Sequence, residues 1–520
     1  MTTLQDTLLA GYRFDGPSVL LGAPLDGQHV LPEPKVAIPL GMMNRHGLIA
    51  GATGTGKTKT LQLMAEQLSA QGVPVFVADL KGDLSGLAVP GDPSSRIDER
   101  AAAVGVPWVP RAAPVELVSL TGANGVQLRA TVSGFGPLLL SKVLGLNETQ
   151  ASVMAMVFKA CDDQGLPLLD FDDLRAVLRY LSSDDGKAVR DEYGGMSGAT
   201  VGVLLRKMVE LEGQGAQQFF GEPEFDVRDL LHVDRNGQGI ITCLQLGDCQ
   251  DKPALFSTFM MWLLAELFQN LPEAGDLPKP KLVFFFDEAH FLFRDASKVF
   301  LAQVEQVVRM IRSKGVGVFF VTQTPKDVPD TVLAQLSNRV QHALRAHTPD
   351  DEAALRATVR TFPKTAFFDL QATLTSLGIG EAIVTGLDQR GVPTPVAATR
   401  LIAPASRMAP LTAEEYRREL EESDLMRAYG TAVNRESAYE MLAKRMAAIP
   451  AEPPKSNGPF REPASAPAGR KAGKGWAAAI GGAVAGAFTT TVARSLGREL
   501  VRGVFGMLGT RPPSTTKRRR

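Results

Sequence analysis

The sequence predicts an α/β fold in which a parallel sheet is flanked by helices, with an inserted helical subdomain and a flexible C-terminal tail. Residues 47–86 read as strand, glycine bend, helix and strand, the usual opening of a parallel sheet. Strand-like runs return at 239–246, 281–290 and 315–325, and each is continuously apolar, as a strand covered on both faces must be. These runs predict a core of five strands.

Segments of different composition divide the rest of the chain. The stretch 137–235 lacks long apolar runs and shows helical spacing, and six prolines between 450 and 467 indicate a flexible linker. The predicted segments are a short β/loop segment (1–45), the first part of the core (46–136), the helical subdomain (137–235), the second part of the core (236–410), C-terminal helices (411–449), a Pro/Ala-rich linker (450–475) and a Gly/Ala-rich basic tail (476–520).

Composition narrows the class of protein. The chain has 520 residues, of which 44% are hydrophobic and 22% charged. This composition is typical of a globular protein, and the length is sufficient for several domains. Its formal net charge is zero, but residues 455–520 hold thirteen lysines and arginines against two glutamates. The three cysteines form no CxxC pair, which argues against a disulfide framework or a zinc knuckle. With no basic leader at the N-terminus, we expect a cytoplasmic protein.

The first strand runs into a phosphate-binding signature. The glycines of "GATGTGKT" allow the backbone to bend so that successive N–H groups and the start of the next helix point at one place, which favours phosphate oxygens. Lys57 can then reach the outer phosphates of ATP, and the Thr58 hydroxyl can ligate Mg²⁺. The predicted nucleotide-binding residues are Gly51, Ala52, Thr53, Gly54, Thr55, Gly56, Lys57 and Thr58.

A predicted acidic site follows the apolar run 282–286. Because this run is typical of a buried strand, Asp287 and Glu288 are expected to lie at the end of that strand. Two carboxylates there are costly unless a cation or ordered water engages them. We therefore expect Asp287 to hold Mg²⁺ through water and Glu288 to polarise the attacking water as general base. The alternative is an exposed acidic loop after an ordinary strand.

Polar residues end two further strands. Thr322 and Gln323 close the run 315–325, where Gln323 can sense the γ-phosphate or orient water. In "VADLKGD", Asp79 is either a partner of magnesium or water near the nucleotide, or simply the first residue of a turn. Lys81 and Asp83 lie on the same side.

Two arginines end the helix that precedes the glutamine strand. Positive residues at a helix C-terminus are favoured by the helix dipole alone, which explains Arg309 and Arg312 without any function. The alternative is that Arg312 reaches the γ-phosphate of a neighbouring subunit, as an arginine finger does.

Several blocks together resemble a known family. The motifs "GATGTGKT", "VADLKGD", "FFFDEAH", "RMIRSKGVGVFFVTQTPKDVPDTVLAQLSNRVQHALRA" and "GIGEAIVTGLD" look like those of bacterial HerA-like ATPases of the FtsK–HerA superfamily, in its YjgR-like branch. The resemblance implies a RecA-like P-loop NTPase core and a hexameric ring that hydrolyses ATP. It assigns Lys57 and Thr58 to Walker A, Asp287 and Glu288 to Walker B, Gln323 to the sensor and Arg312 to the arginine acting in trans.

The tail has no assigned role. Residues 475–493 are uncharged, and arginines and a final "KRRR" follow them. Because small residues dominate this stretch, we expect at most weak contact with an anionic membrane; contact with nucleic-acid phosphate or packing on another subunit fits equally.

The residues and the resemblance favour an ATP-driven motor, a ring-forming translocase or helicase acting on double-stranded DNA. Two alternatives stay open. One is an ATPase that acts on protein or at the membrane, as in secretion, and the other is a scaffold that nucleotide switches without DNA activity.

Overall fold

The fold is organised around a mixed sheet, seen here in a computed structural model that describes residues 3–294, 298–346 and 348–447, apart from the side chain of Val299. The predicted linker at 450–475 and basic tail at 476–520 lie outside the described residues. The strands are β1 (Ser18–Asp26), β2 (His29–Val30), β3 (Val36–Pro39), β4 (Gly47–Ala50), β5 (Val75–Asp79), β6 (Val115–Ser119), β7 (Val126–Gln127), β8 (Ile241–Gln245), β9 (Leu282–Phe286), β10 (Val316–Thr322), β11 (Asn338–His342), β12 (Glu381–Thr385) and β13 (Ala397–Leu401).

Helices connect and cover these strands. The α-helices are α1 (Leu4–Gly11), α2 (Lys57–Ala70), α3 (Ser95–Val104), α4 (Val132–Val143), α5 (Glu148–Gln164), α6 (Phe171–Ser182), α7 (Lys187–Glu192), α8 (Gly198–Glu212), α9 (Ala216–Phe219), α10 (Pro253–Asn270), α11 (His290–Phe293), α12 (Lys298–Ile311), α13 (Asp330–Leu333), α14 (Pro349–Val359), α15 (Leu370–Ser376), α16 (Ala413–Glu422), α17 (Asp424–Tyr429) and α18 (Ala438–Ala447). Short 3-10 helices span Leu40–Arg45, Ser85–Ala88, Val227–Leu231, Arg312–Lys314 and Pro325–Asp327.

The sheet is parallel through its centre. Its order in the described residues is β2-β1-β13-β12-β11-β4-β10-β9-β5-β8-β6-β7, with β3 paired to β1. Neighbouring strands from β11 to β7 run parallel, and those from β11 to β2 run antiparallel. The five predicted strands, β4, β10, β9, β5 and β8, are consecutive in this order. The predicted α/β fold with a parallel sheet is confirmed.

The prediction of five strands is nevertheless incomplete. The runs "RVQHALRA" and "GEAIVTGLD", which the sequence indicates as two shorter strand candidates, overlap β11 and contain β12. Strands β6 and β7 extend the parallel part beyond the prediction, and β1 joins the sheet through its antiparallel pairing with β13. Strand β6 interrupts its apolar sequence with Glu116, and β7 has only two residues, so neither shows the continuous apolar run that identified the central strands. Helix α1 was also not predicted.

Both faces of the central strands are buried, which explains their continuous apolar sequence. Alternate residues of a strand point to opposite faces. In β9, Phe284 and Phe286 lie in the core shared with α10, α12 and the helices between β7 and β8, whereas Phe285 lies in the opposite core with residues of α2. All three are buried.

All regular elements between β7 and β8 are helical in the described residues, as expected for the stretch 137–235. The first of these helices begins earlier, at Val132, because Thr131 caps it by accepting a hydrogen bond from Gly134 N–H. Helix α16 starts at a capping box formed by Thr412 and Glu415, the spacing visible in the sequence. None of the helices in the described ranges is long and apolar enough to cross a bilayer.

Candidate functional site

Four central strands end at one edge of the sheet, because parallel strands point in the same direction. In the registers, Ala50 at the end of β4 lies opposite Thr322 of β10, Phe320 lies opposite Phe286 of β9, and Phe286 lies opposite Ala78 of β5. The loops after β4, β9, β10 and β5 therefore meet at this edge. It is the edge at which ligands bind in open α/β sheets.

The glycine loop is a rigid turn between β4 and α2. Gly51 N–H donates to Thr322 O at 3.2 Å, and Ala52 N–H donates to Ala343 O at 2.8 Å, so both neighbouring strands hold the loop. Gly51, Gly54 and Gly56 have positive φ angles of 154°, 78° and 111°. Gly56 is the N-cap of α2 and supplies no side-chain cap, so no side chain at this position competes with a ligand for the first N–H groups of the helix.

Lys57 points into this loop. Its ammonium donates to Ala52 O at 3.2 Å, and the residue is 8% exposed. Burial lowers the pKa of Lys57, and the negative charges of Glu288 and Asp287 oppose that effect. The lysine and the acidic pair therefore share one electrostatic environment, although 230 positions separate Lys57 from Asp287 in the sequence (287 minus 57).

The acidic pair is clamped between two strands. Asp287 N–H donates to Ala78 O of β5 at 3.2 Å, and Ala289 N–H donates to Val321 O of β10 at 2.8 Å. Glu288 adopts a left-handed φ of 49°, a conformation that costs a non-glycine residue about 1–2 kcal/mol. Such strain is typical of functional sites, because the surrounding structure must hold the residue in place.

The carboxylates are buried and incompletely satisfied. Asp287 Oδ1 accepts the Glu288 N–H at 3.0 Å, while Asp287 Oδ2 and Glu288 Oε2 have no hydrogen-bond partner. His290 Nδ1 lies 3.3 Å from Glu288 Oε2 but forms no hydrogen bond with it. Burial raises the pKa of Asp287 to about 7, and the charges of Glu288, Asp79 and Asp83 add to this shift. A cation would relieve the repulsion.

The motif "VADLKGD" forms a turn held by Asp79. The buried Asp79 carboxylate accepts N–H groups of Lys81 at 3.1 Å, Gly82 at 2.8 Å and Leu84 at 3.0 Å. Of the two roles considered for Asp79, the structure shows the turn. Lys81 leaves this turn and donates a hydrogen bond to Glu288 Oε1, a contact that the sequence did not predict. Burial disfavours the Lys81 charge, but Glu288 outweighs it and raises the pKa of Lys81.

Gln323 follows β10 at the same edge and is exposed. Thr322, the other residue considered for sensing phosphate, is buried, and its hydroxyl donates to Asp327 Oδ2 at 2.5 Å. Asp327 also accepts Thr324 N–H at 2.9 Å. Thr322 therefore stabilises the turn after the strand, and the amide of Gln323 is left as the group available to a ligand.

Arg312 lies away from the other predicted residues. It begins the 3-10 helix before β10, at the edge where the parallel strands start, and its side chain is exposed. The seven residues of β10 separate it from the phosphate edge. At about 3.3 Å per residue this distance is roughly 20 Å, too far for Arg312 to reach the nucleotide site of its own chain.

Sequence reasoning missed the groups that support the phosphate loop from β11 and β12. His342 is buried beneath the loop, and its Nε2 lies 2.9 Å from the Thr60 hydroxyl. Gly380 N–H donates to Thr55 O at 3.0 Å, and Arg100 donates to Gly380 O at 3.0 Å. The sequence indicates a strand at "GEAIVTGLD" and includes it in the family resemblance, but it does not predict the contact with the loop, because that contact depends on strand order.

These residues fit a magnesium nucleotide. The loop and the start of α2 can donate N–H groups to phosphate. The Asp287 oxygen that has no hydrogen-bond partner can accept a contact from a cation or its bound water. In the described ranges, no group of three or more acidic, His or Cys side chains is suited to holding a metal alone. Mg²⁺ would therefore share ligands between Thr58, Asp287, water and phosphate oxygens, as magnesium usually does.

Known proteins share this chain's sequence pattern. Two relatives are named "DNA double-strand break repair helicase HerA". The relative from Sulfolobus acidocaldarius is 21% identical, and the match covers 75% of this chain and 71% of the relative. The relative from Saccharolobus solfataricus is 22% identical, and the match covers 68% of this chain and 64% of the relative. The plasmid coupling protein TrwB, solved in complex with ADP and Mg²⁺, is 15% identical with a TM-score of 0.46 and covers 76% of this chain and 99% of its own.

The family model described as "Helicase HerA-like C-terminal" matches residues 27–512, nearly the whole sequence. This match includes the phosphate loop, the acidic pair and the glutamine strand that meet at one edge of the sheet. It confirms the resemblance noted from the motifs. The chain belongs to the HerA-like helicase family.

Proposed function

We propose that this chain binds ATP and Mg²⁺, hydrolyses the nucleotide, and uses the energy to move double-stranded DNA as a ring of identical subunits in the cytoplasm. The observation that supports this most directly is the meeting of the phosphate loop and the acidic pair at one sheet edge. The names of the two HerA relatives support DNA as the polymer.

In this proposal, each group at the edge has a separate task. The loop residues Gly51 to Thr58 bind the phosphates, and the Lys57 ammonium turns from Ala52 O to the outer phosphates. Thr58, and Asp287 through water, would hold Mg²⁺, which would neutralise developing charge on the phosphates. Glu288 accepts the proton of the attacking water as general base, and Gln323 orients that water.

The ring part of the proposal rests on Arg312. It is exposed at the opposite edge of the sheet, where it cannot assist its own site but is accessible to a neighbour. An arginine finger supplied in trans stabilises charge in the transition state, so the complete site then lies between two subunits. Hexamers are the expected closed ring.

The direct test measures steady-state ATP turnover of the full chain with and without duplex DNA. We expect DNA to raise turnover several-fold. Lys57→Ala should abolish nucleotide binding, and Glu288→Gln should retain binding but lower kcat by at least about 100-fold, the usual effect of losing a general base. Turnover that is indifferent to DNA of any form would remove DNA from the proposal.

A second candidate function, an ATPase acting on protein or at a membrane, is favoured by the uncharged stretch 475–493 and the basic residues after it. Cell fractionation with and without residues 450–520 tests it, and a full-length chain found wholly in the soluble fraction would count against the membrane version.

Assembly on an ATP analogue with negligible hydrolysis would instead favour a nucleotide-switched scaffold.

A further inference from the structure

Lys81 binds the residue proposed as general base. Its ammonium donates to Glu288 Oε1, and the two side chains differ sharply in exposure, at 49% for Lys81 and 6% for Glu288. A half-exposed lysine thus reaches into the site to pair with a buried carboxylate. Burial makes such a pair stronger than an ordinary surface ion pair, because water screens it less.

The position of Lys81 is built into the fold. The three N–H groups that Asp79 accepts fix the backbone from Lys81 to Leu84, and Gly82 completes the turn with a φ of 75°. Since β5 pairs directly with β9, this turn lies beside the end of the strand that presents Glu288. A flexible surface lysine would have no such support.

The pairing restricts how Glu288 can act as a base. One carboxylate oxygen accepts a hydrogen bond from the Lys81 ammonium, and the other has no hydrogen-bond partner, although His290 Nδ1 lies 3.3 Å away. A general base needs a free lone pair within hydrogen-bond reach of the water it deprotonates. The ion pair holds the Glu288 carboxylate in one orientation, so Glu288 can turn its free oxygen toward a different position of the attacking water only if the contact with Lys81 breaks or shifts.

We propose that Lys81 is a positioning residue that restrains Glu288 in an inactive arrangement and limits ATP hydrolysis. The inference rests on the proposed function, because it assigns Glu288 as the base.

The test compares ATP turnover of the full-length wild type and Lys81→Met in the absence of DNA. Removing the restraint should raise kcat by about three- to tenfold, the effect of losing one partly screened charged hydrogen bond, and leave KM for ATP within about twofold. Lys81→Arg, which keeps the charge and the donors, should return kcat to the wild-type value. Lys81→Gln is the second neutral variant in case Lys81→Met folds poorly.

Lys207→Met is the matched control. Lys207 pairs with Glu210 at 3.0 Å on α8, so this variant also breaks a lysine–glutamate contact, but at the surface of the helical stretch. Its kcat should equal that of the wild type.

The outcomes separate the two proposals. If the wild type hydrolyses ATP and the neutral Lys81 variants have equal or lower kcat, or change only KM, the restraint is overturned while the ATPase stands. If neither the wild type nor the Lys81 variants hydrolyse ATP, both are overturned.

Discussion

At the scale of single residues, His46 shows how a buried polar side chain supports the site from outside it. It directly precedes β4 and is 3% exposed, and its Nδ1 accepts the Val318 N–H of β10 at 3.0 Å. The ring can accept this hydrogen bond only while Nδ1 is unprotonated. Burial accordingly lowers the pKa of His46 to about 4. The strand that leads into the phosphate loop is thus joined to its neighbour by a neutral imidazole.

This geometry predicts that acid destabilises the protein through His46. The unfolded chain takes up a proton on this residue near pH 6.5, whereas the folded chain does so only near pH 4, so the unfolded state binds more protons between these values and stability falls as pH falls. Between pH 7 and pH 5 the contribution of His46 should decrease by about 2 kcal/mol. Chemical denaturation at pH 7 and at pH 5 measures this change in the free energy of unfolding.

The variant His46→Gln isolates the contribution of His46 to the pH dependence of stability, because the other titrating groups are unchanged. It should be less stable than the wild type at pH 7, and the difference between the two proteins should shrink at pH 5. A difference that stays constant over this range would mean that His46 does not titrate as the buried geometry requires.

At the scale of elements, the loop between β4 and α2 depends on glycine for two different reasons. Gly54 has a φ of 78° but open space around the position of a Cβ atom. Gly51 has a φ of 154°, and a Cβ there would lie 2.5 Å from His342 Cβ. The first position needs only conformational freedom, whereas the second also needs the space that a side chain would fill.

We therefore expect Gly51→Ala to be the more damaging substitution. It should destabilise the protein by about 3 kcal/mol and abolish binding of an ATP analogue, because either the loop or His342 must move. Gly54→Ala, the matched control, should cost only about 1 kcal/mol of conformational strain. Thermal unfolding and calorimetric titration measure both effects. Equal losses of stability would show that contact with His342 does not restrict the loop.

At the scale of the whole molecule, the two edges of the sheet carry the residues that the proposed ring would bring together. The phosphate loop, Asp287, Glu288 and Gln323 lie at the edge where the strands end, and Arg312 lies at the edge where β10 begins. A head-to-tail ring repeats one interface between subunits, so it can bring the first edge of one subunit to the Arg312 of the next.

Mixing inactive variants tests this arrangement. Lys57→Ala lacks a working phosphate loop but keeps Arg312, and Arg312→Ala has the reverse defect. In an equal mixture, about a quarter of the interfaces in a head-to-tail ring should combine an intact loop with an intact arginine, so ATP turnover should exceed that of either variant alone. An arginine that acts within its own chain would give no gain on mixing.

The sequence was most informative where function depends on neighbouring positions in the chain. The glycines, Lys57 and Thr58 lie in one short loop, and the run before Asp287 is apolar because both faces of β9 are covered. The capping box of Thr412 and Glu415 can also be read from the sequence, because its two residues are only three positions apart. Strands such as β6 and β7 were missed because they are short or contain polar residues, so their pattern is not distinctive.

The sequence by itself therefore determined the parallel α/β class and the family, and it predicts which residues bind phosphate, magnesium and water. Only the tertiary structure decided that Asp79 holds a turn, that Lys81 pairs with Glu288 across 207 positions of sequence, and that Arg312 lies on the far edge. The physical reason is that local pattern reports the burial of a strand but not which strands become neighbours, since packing of the whole chain selects that order.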